Sequence, residues 1–190
     1  IDNIEKVIEK HAKEKNTLLI IGQNEKRTDG WLGCSLYQEI FYKNASGKVP
    51  NVNLKKEKLI IEFLLNINSK GFVDGAHDIS DGGLLPSLIE MLFKNNLGID
   101  LNIPNFFEEA KESLIYRFHG WCFGEDQARI LVATNNPDKI ISLAQRNKID
   151  VFNLGNTNKT GLVNLGKYDG FSIKECYNVY ANALPKFFNS

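Results

Sequence analysis

The chain holds few cysteines, one methionine and two tryptophans, and no excess of either charge. Its three cysteines, Cys34, Cys122 and Cys176, are odd in number and far apart. That argues against a disulfide frame or a zinc knuckle and fits reduced cytosolic thiols, so a cytoplasmic location is expected. Lys plus Arg and Asp plus Glu both count 23. The basic excess of a nucleic-acid module is therefore missing, and no nucleic-acid partner is expected. No apolar run approaches the roughly 18 residues of a membrane span, so no membrane partner is expected either. The opening IDNIEKVIEKHAKEK is charged and amphipathic and has no signal-peptide core. His11, His77 and His119 form no His-x-x-x-His pair, and nothing points to a structural metal.

What is present is the composition of a globular protein, 43% hydrophobic and 24% charged. Residues 1–15 have helical character. TLLIIG (17–22) is a buried strand by its apolar run, and CSLYQEIFY (34–42) a short helix. Residues 54–68 carry Leu59, Phe63 and Ile67 at helical spacing. FVDGAHDI (72–79) follows as a strand, then a helix from about Asp81 to Asn95 that is apolar over much of its circumference. GIDLNI (98–103) alternates like a strand, and Pro104 opens a short helix, NFFEEAKESL. WCFGED (121–126) is a glycine-containing loop, ARILVAT (128–134) a strand, and Pro137 begins a helix to about Asn147. IDVFNLG and GLVNLG are strands, and a last helix runs from about Ile173 to Phe187. The expected class is α+β, a mixed sheet flanked by helices in α/β/α layers.

The chemistry concentrates in the stretch GFVDGAHDISDGGLLPSL, Gly71 to Leu88. A helix that starts straight after a strand aims unpaired N–H groups and its dipole at whatever lies above the turn, which favours an anion. Gly82 and Gly83 would let a phosphate approach the backbone. Asp78 and Asp81 cannot bind phosphate themselves, but they could hold a magnesium ion that does. The same residues also have a purely structural reading. Asp81 or Ser80 would be an N-cap, Asp78 a solvated carboxylate, the glycines a means of tight packing, and His77 a hydrogen-bonded structural residue.

Two further loops carry polar groups. Phe123 to Arg129, FGEDQAR, sets Glu125, Asp126, Gln127 and Arg129 beside a strand. They would bind a polar ligand or pair among themselves, and an internal Arg–carboxylate pair is the preferred reading. Gly30 to Tyr37, GWLGCSLY, places glycines and a serine ahead of a helix. Cys34 or Ser35 as nucleophile lacks a histidine partner.

Taken in order, LLIIG…GWLGCSLYQEI, GAHDISDGGLLPSLIEM and WCFGEDQARILVAT resemble the C-terminal domain of phosphoribosylformylglycinamidine synthase, the FGAM synthetase of purine biosynthesis. AHDISDGGL is similar to a wider superfamily that includes aminoimidazole ribonucleotide synthetase. FGEDQAR resembles the synthetase more narrowly, and the ending ANALPKFFNS looks like that family's C-terminus.

The resemblance implies a ligase that joins formylglycinamide ribonucleotide and glutamine-derived ammonia at the expense of ATP, giving formylglycinamidine ribonucleotide, ADP and phosphate. It implies an internally duplicated enzyme whose catalytic histidine lies in the other half. This chain then has no catalytic residue, is inactive alone, and comprises a connecting helix (1–15) from an upstream domain followed by a second B domain (16–190). By pseudo-repeat, Asp78 is the magnesium ligand, and Asp81, Gly82, Gly83, Glu125 and Gln127 line an auxiliary ATP/ADP site. Expected partners are the rest of the synthetase, a glutaminase domain or subunit, and a small-molecule substrate. The alternatives are another ATP-using superfamily member, of the aminoimidazole ribonucleotide synthetase type, and a non-catalytic binding module.

Overall fold

The computed structural model describes residues 7–23, 30–43, 46–104 and 112–188. The first residues of the N-terminal helix and the start of the helix after Pro104 fall outside them. The strands are β1 (Thr17–Ile21), β2 (Gly75–Asp78), β3 (Gly98–Asp100), β4 (Ile130–Thr134), β5 (Val151–Asn158), β6 (Leu162–Leu165) and β7 (Tyr168–Ser172). The helices are α1 (Leu36–Tyr42), α2 (Leu54–Ser69), α3 (Leu84–Phe93), α4 (Glu112–Phe123), α5 (Pro137–Arg146) and α6 (Ile173–Phe188).

The strands form one sheet in the order β2-β4-β1-β5-β3-β6-β7. All neighbours are antiparallel except β3 and β6, so the sheet is mixed, as expected. Period-two alternation between two buried faces explains why LLII (18–21) is apolar throughout. Leu18 and Ile20 point into one core with α3 and α4, while Leu19 and Ile21 point into a second core with α2 and α5. Both faces are buried, which gives the α/β/α layering. α3 supplies Leu84, Leu85, Leu88, Met91 and Leu92 to the first core, in keeping with its nearly continuous apolar surface.

Three local expectations are corrected. The described part of the N-terminal segment, residues 7–15, is not helical. It lies as a strap along the outer edge of β2. The Glu9 carbonyl accepts from Ala76 N at 3.0 Å, and Ala12 N donates to the Met91 carbonyl at 2.9 Å. Lys10–Glu90 at 2.6 Å, Lys94–Glu9 at 2.6 Å and Lys13–Asp74 at 3.0 Å tie it down. Edge-strand hydrogen bonds outweigh a modest helical propensity here. Burial raises the Glu90 carboxyl, but hydrogen bonds from Lys10 and His77 outweigh it and hold the group below the usual carboxylate range. Secondly, Trp121 to Phe123 are not loop but the last turn of α4. Thirdly, β7 was not expected. It is a half-exposed hairpin partner of β6 that carries no apolar run.

Candidate functional site

The sheet order explains why three distant loops meet. β4 lies between β2 and β1 and is antiparallel to both, with Asp78 and Ile21 each opposite Ile130. The end of β1, the end of β2 and the beginning of β4 therefore share one edge of the molecule. The loops that leave or enter there are the three singled out by sequence.

They enclose a cleft of about 420 Å³ whose wall includes Asp78, Asp81, Glu125 and Gln127. Those four expected ligands are thus brought together. The cleft also contains residues that sequence reasoning passed over. Val49 and Pro50 form an apolar flank with Ile61 of α2, and Glu57 contributes a further carboxylate. Nothing local marks them, because they reach the cleft through the packing of α2 on the opposite face of the sheet. The Asp78 side chain is 73% exposed, and Asp81 and Gln127 are exposed.

The turn itself differs from expectation. α3 starts at Leu84, not Asp81, and its N-cap is Gly83, with no side-chain cap from Ser80 or Asp81. Gly82 and Gly83 both have positive φ, 80° and 81°, which a right-handed helix cannot include. A Cβ on Gly83 would stand 2.5 Å from the carbonyl carbon of Phe123. The glycine pair therefore lets the start of α3 press against the end of α4.

The anion at this helix start is the protein's own. Glu125 Oε1 accepts from Gly82 N at 2.9 Å and from Leu36 N, the first residue of α1, at 2.9 Å. One carboxylate satisfies backbone donors at two helix starts, where both dipoles favour it. Glu125→Ala is expected to cost about 2 kcal/mol, because two donors lose a charged acceptor. Thermal melting checks this, and a loss under about 0.5 kcal/mol would show the contacts to be incidental.

Behind Glu125 lies the internal pair anticipated for FGEDQAR. Arg129, 3% exposed, donates to the Gly124 carbonyl at 2.6 Å and to Gln23 Oε1 at 3.0 Å. It also pairs with Asp126 Oδ2 at 3.3 Å, and that oxygen accepts from Trp31 N at 3.1 Å. His77, at the end of β2, bonds the Asp78 carbonyl at 2.7 Å through Nδ1 and reaches Glu90 at 3.3 Å through Nε2, a structural role.

The cleft is acidic, with Glu57, Asp78, Asp81 and Glu125 on its wall. A bare phosphate is repelled there, whereas a phosphate carried by a divalent cation fits the donor set. Among the described residues no three His, Cys, Asp or Glu side chains form a ready metal cage. Magnesium does not need one, since it keeps several waters and takes one or two carboxylates plus substrate phosphates.

The chain is thus a layered domain, a mixed sheet with helices on both faces and a loop cleft at one sheet edge. The family model "AIR synthase related protein, C-terminal domain" matches residues 13–166, and the chain belongs to that family. Among curated relatives, the phosphoribosylformylglycinamidine synthase subunit PurL of Caulobacter vibrioides is 33% identical over 135 residues, 71% of this chain and 16% of that protein. The chain thus spans about one sixth of that relative's length. Among solved structures, Thermotoga maritima PurL complexed with FGAR superposes with a TM-score of 0.71 at 19% identity, covering 90% of this chain and 29% of that one. The same protein complexed with ATP gives 0.65 at 17% identity, covering 90% and 27%. Among the described residues no helix is long and apolar enough to cross a membrane.

Proposed function

We propose that this chain is the C-terminal, second B domain (16–190) of a phosphoribosylformylglycinamidine synthase, joined to upstream domains through residues 1–15. The observation that carries the reading is that the three stretches resembling the synthetase converge on one cleft, lined by Asp78, Asp81, Glu125 and Gln127. The PurL relative and the PurL structure solved with ATP support it. The complete enzyme would convert formylglycinamide ribonucleotide, ATP and glutamine-derived ammonia to formylglycinamidine ribonucleotide, ADP and phosphate. ATP activates the amide oxygen as a phosphate ester and ammonia displaces the phosphate. None of the catalytic groups for these steps is assigned to this chain, so it is inactive by itself. Its partners are the remaining synthetase domains and a glutaminase domain or subunit, in the cytoplasm.

In this reading the cleft is an auxiliary nucleotide site. Val49, Pro50 and Ile61 offer the apolar surface for a base. Asp78 and Asp81 face the phosphates through the metal, Gln127 lies on the same wall, and the Gly82 N–H holds the Glu125 carboxylate in place beside them. Magnesium, held by Asp78, would neutralise phosphate charge beside the acidic wall.

Calorimetric titration of the chain with ADP and magnesium tests the site. Saturable, magnesium-dependent binding is expected, at least tenfold weaker in Asp78→Ala, a loss of about 1.4 kcal/mol. The variant should melt like the parent, because Asp78 is exposed. Equal affinity in parent and variant would remove Asp78 from the site. Absence of binding in the parent would leave the cleft as a packing feature of the fold.

A further inference from the structure

One carboxylate oxygen in the cleft is left over. Glu57 stands in the first turn of α2 and lines the cleft. Its side chain is half-buried, and its Oε1 atom is closed off from solvent with no hydrogen-bond partner among the described residues. The other acids of that wall are provided for. Glu125 Oε1 accepts from two backbone N–H groups, and Asp78 and Asp81 are exposed to water. The lysines on either side of Glu57 are directed elsewhere, Lys56 to the Gly22 carbonyl at 2.9 Å and Lys58 to Glu62 at 3.7 Å. A buried acceptor without a donor is unfavourable, and more so when it is charged. A ligand that brings a donor removes that penalty on binding.

We infer, on the nucleotide reading proposed above, that Glu57 is the ribose-binding residue of the cleft, its carboxylate accepting from the 2′- and 3′-hydroxyls. Ile61 of the apolar flank follows Glu57 by four residues, so the two side chains lie on one face of α2, about 5–6 Å apart at Cβ. A base resting on that flank puts its ribose within reach of the carboxylate. The vicinal diol offers two O–H donors, and an ionised carboxylate accepts on both oxygens. A carboxyl group turns easily about its last torsion, so Oε1 meets a hydroxyl without any movement of the helix. The adenine edge is a poorer match, because its amino donor sits beside a ring-nitrogen acceptor that a carboxylate repels. A phosphate is excluded by charge. An acidic residue meets a ribose hydroxyl in the same way in dinucleotide-binding folds.

Calorimetric titration of the whole chain with magnesium and ADP, 2′-deoxy-ADP, 3′-deoxy-ADP or IDP is the test. The parent is expected to bind each deoxy form about tenfold more weakly than ADP, the worth of a hydrogen bond to a charged acceptor. In Glu57→Ala the ratio of ADP to deoxy-ADP affinity should fall to near one. Removing a carboxylate also relieves repulsion of the phosphates, so the ratio within each protein is the readout and the absolute affinity is not. Glu57→Gln keeps the shape and one acceptor oxygen, and should give an intermediate ratio. A parent that binds ADP and both deoxy forms equally overturns the inference and leaves the nucleotide site standing. So does a ratio that persists in Glu57→Ala, or an effect of that substitution confined to ADP against IDP, which would give the residue to the base. Absence of ADP binding in the parent removes the nucleotide site and the ribose contact together.

Discussion

Arg129→Met is expected to lower the unfolding free energy by about 3–5 kcal/mol, the loss typical when one partner of a buried ion pair is removed. Arg129 and Asp126 are 3% and 7% exposed. The guanidinium joins Gln23 after β1, Gly124 after α4 and Asp126 before β4. Its removal takes the guanidinium from a buried carboxylate, and a neutral donor such as Trp31 N does not balance that charge. Urea denaturation would show the midpoint shift at unchanged slope. Arg129→Met with Asp126→Leu should recover much of the loss, because an apolar pair leaves no orphan charge. A single substitution costing less than about 1 kcal/mol would mean that water reaches Asp126 and that the pair is not what joins the loops.

Gly83→Ala is expected to be comparably severe. Its φ of 81° and ψ of −154° lie in a region open in practice to glycine alone, at a cost of about 1–3 kcal/mol for another residue. The new methyl would also meet backbone that cannot swing aside, the Phe123 carbonyl carbon at 2.5 Å and the Gly124 carbonyl oxygen at 2.7 Å. Overpacking of that kind adds roughly 1–3 kcal/mol. Gly71→Ala is the internal control. It has a positive φ of 69° but open space around the Cβ, so it should lose only about 1 kcal/mol. Thermal melts of the two variants separate conformational strain from collision. Equal losses would show that the approach of α3 to α4 is loose enough to relax. If the nucleotide reading holds, Gly83→Ala should also weaken ADP binding, since the 124–127 loop would be pushed off the turn.

Elements with strong local signals were legible in the residues. β1, β4, α2 and α5 appear close to where apolar runs, helical spacing and Pro137 indicated, because each buries a face that local periodicity describes. The internal pairing of FGEDQAR was legible too, since a buried Arg needs a carboxylate nearby and the loop provides one. The misses share a cause. Residues 7–15 carry a helical pattern, yet β2 offers its free edge and the chain takes it. Trp121 to Phe123 read as the start of a loop, yet they close α4, where Gly120 lets Gly30 pack closely, its carbonyl oxygen 2.9 Å from where a Cβ would sit. β7 has no apolar alternation because it is a half-exposed hairpin strand, formed by β6 and the turn at Gly166.

The residues by themselves determined the layered α+β architecture and the three polar loops, for period-two and period-3.6 patterns dictate which faces must be buried. They also held the family resemblance in GAHDISDGGL and FGEDQAR. Only the tertiary structure decided what the loops do to one another. The Glu125 carboxylate reaches Gly82 across 43 residues and Leu36 across 89, a placement that requires β4 to lie between β2 and β1. Hydrogen bonds over such separations depend on strand order, and strand order is a property of the packed sheet that no local window of sequence contains.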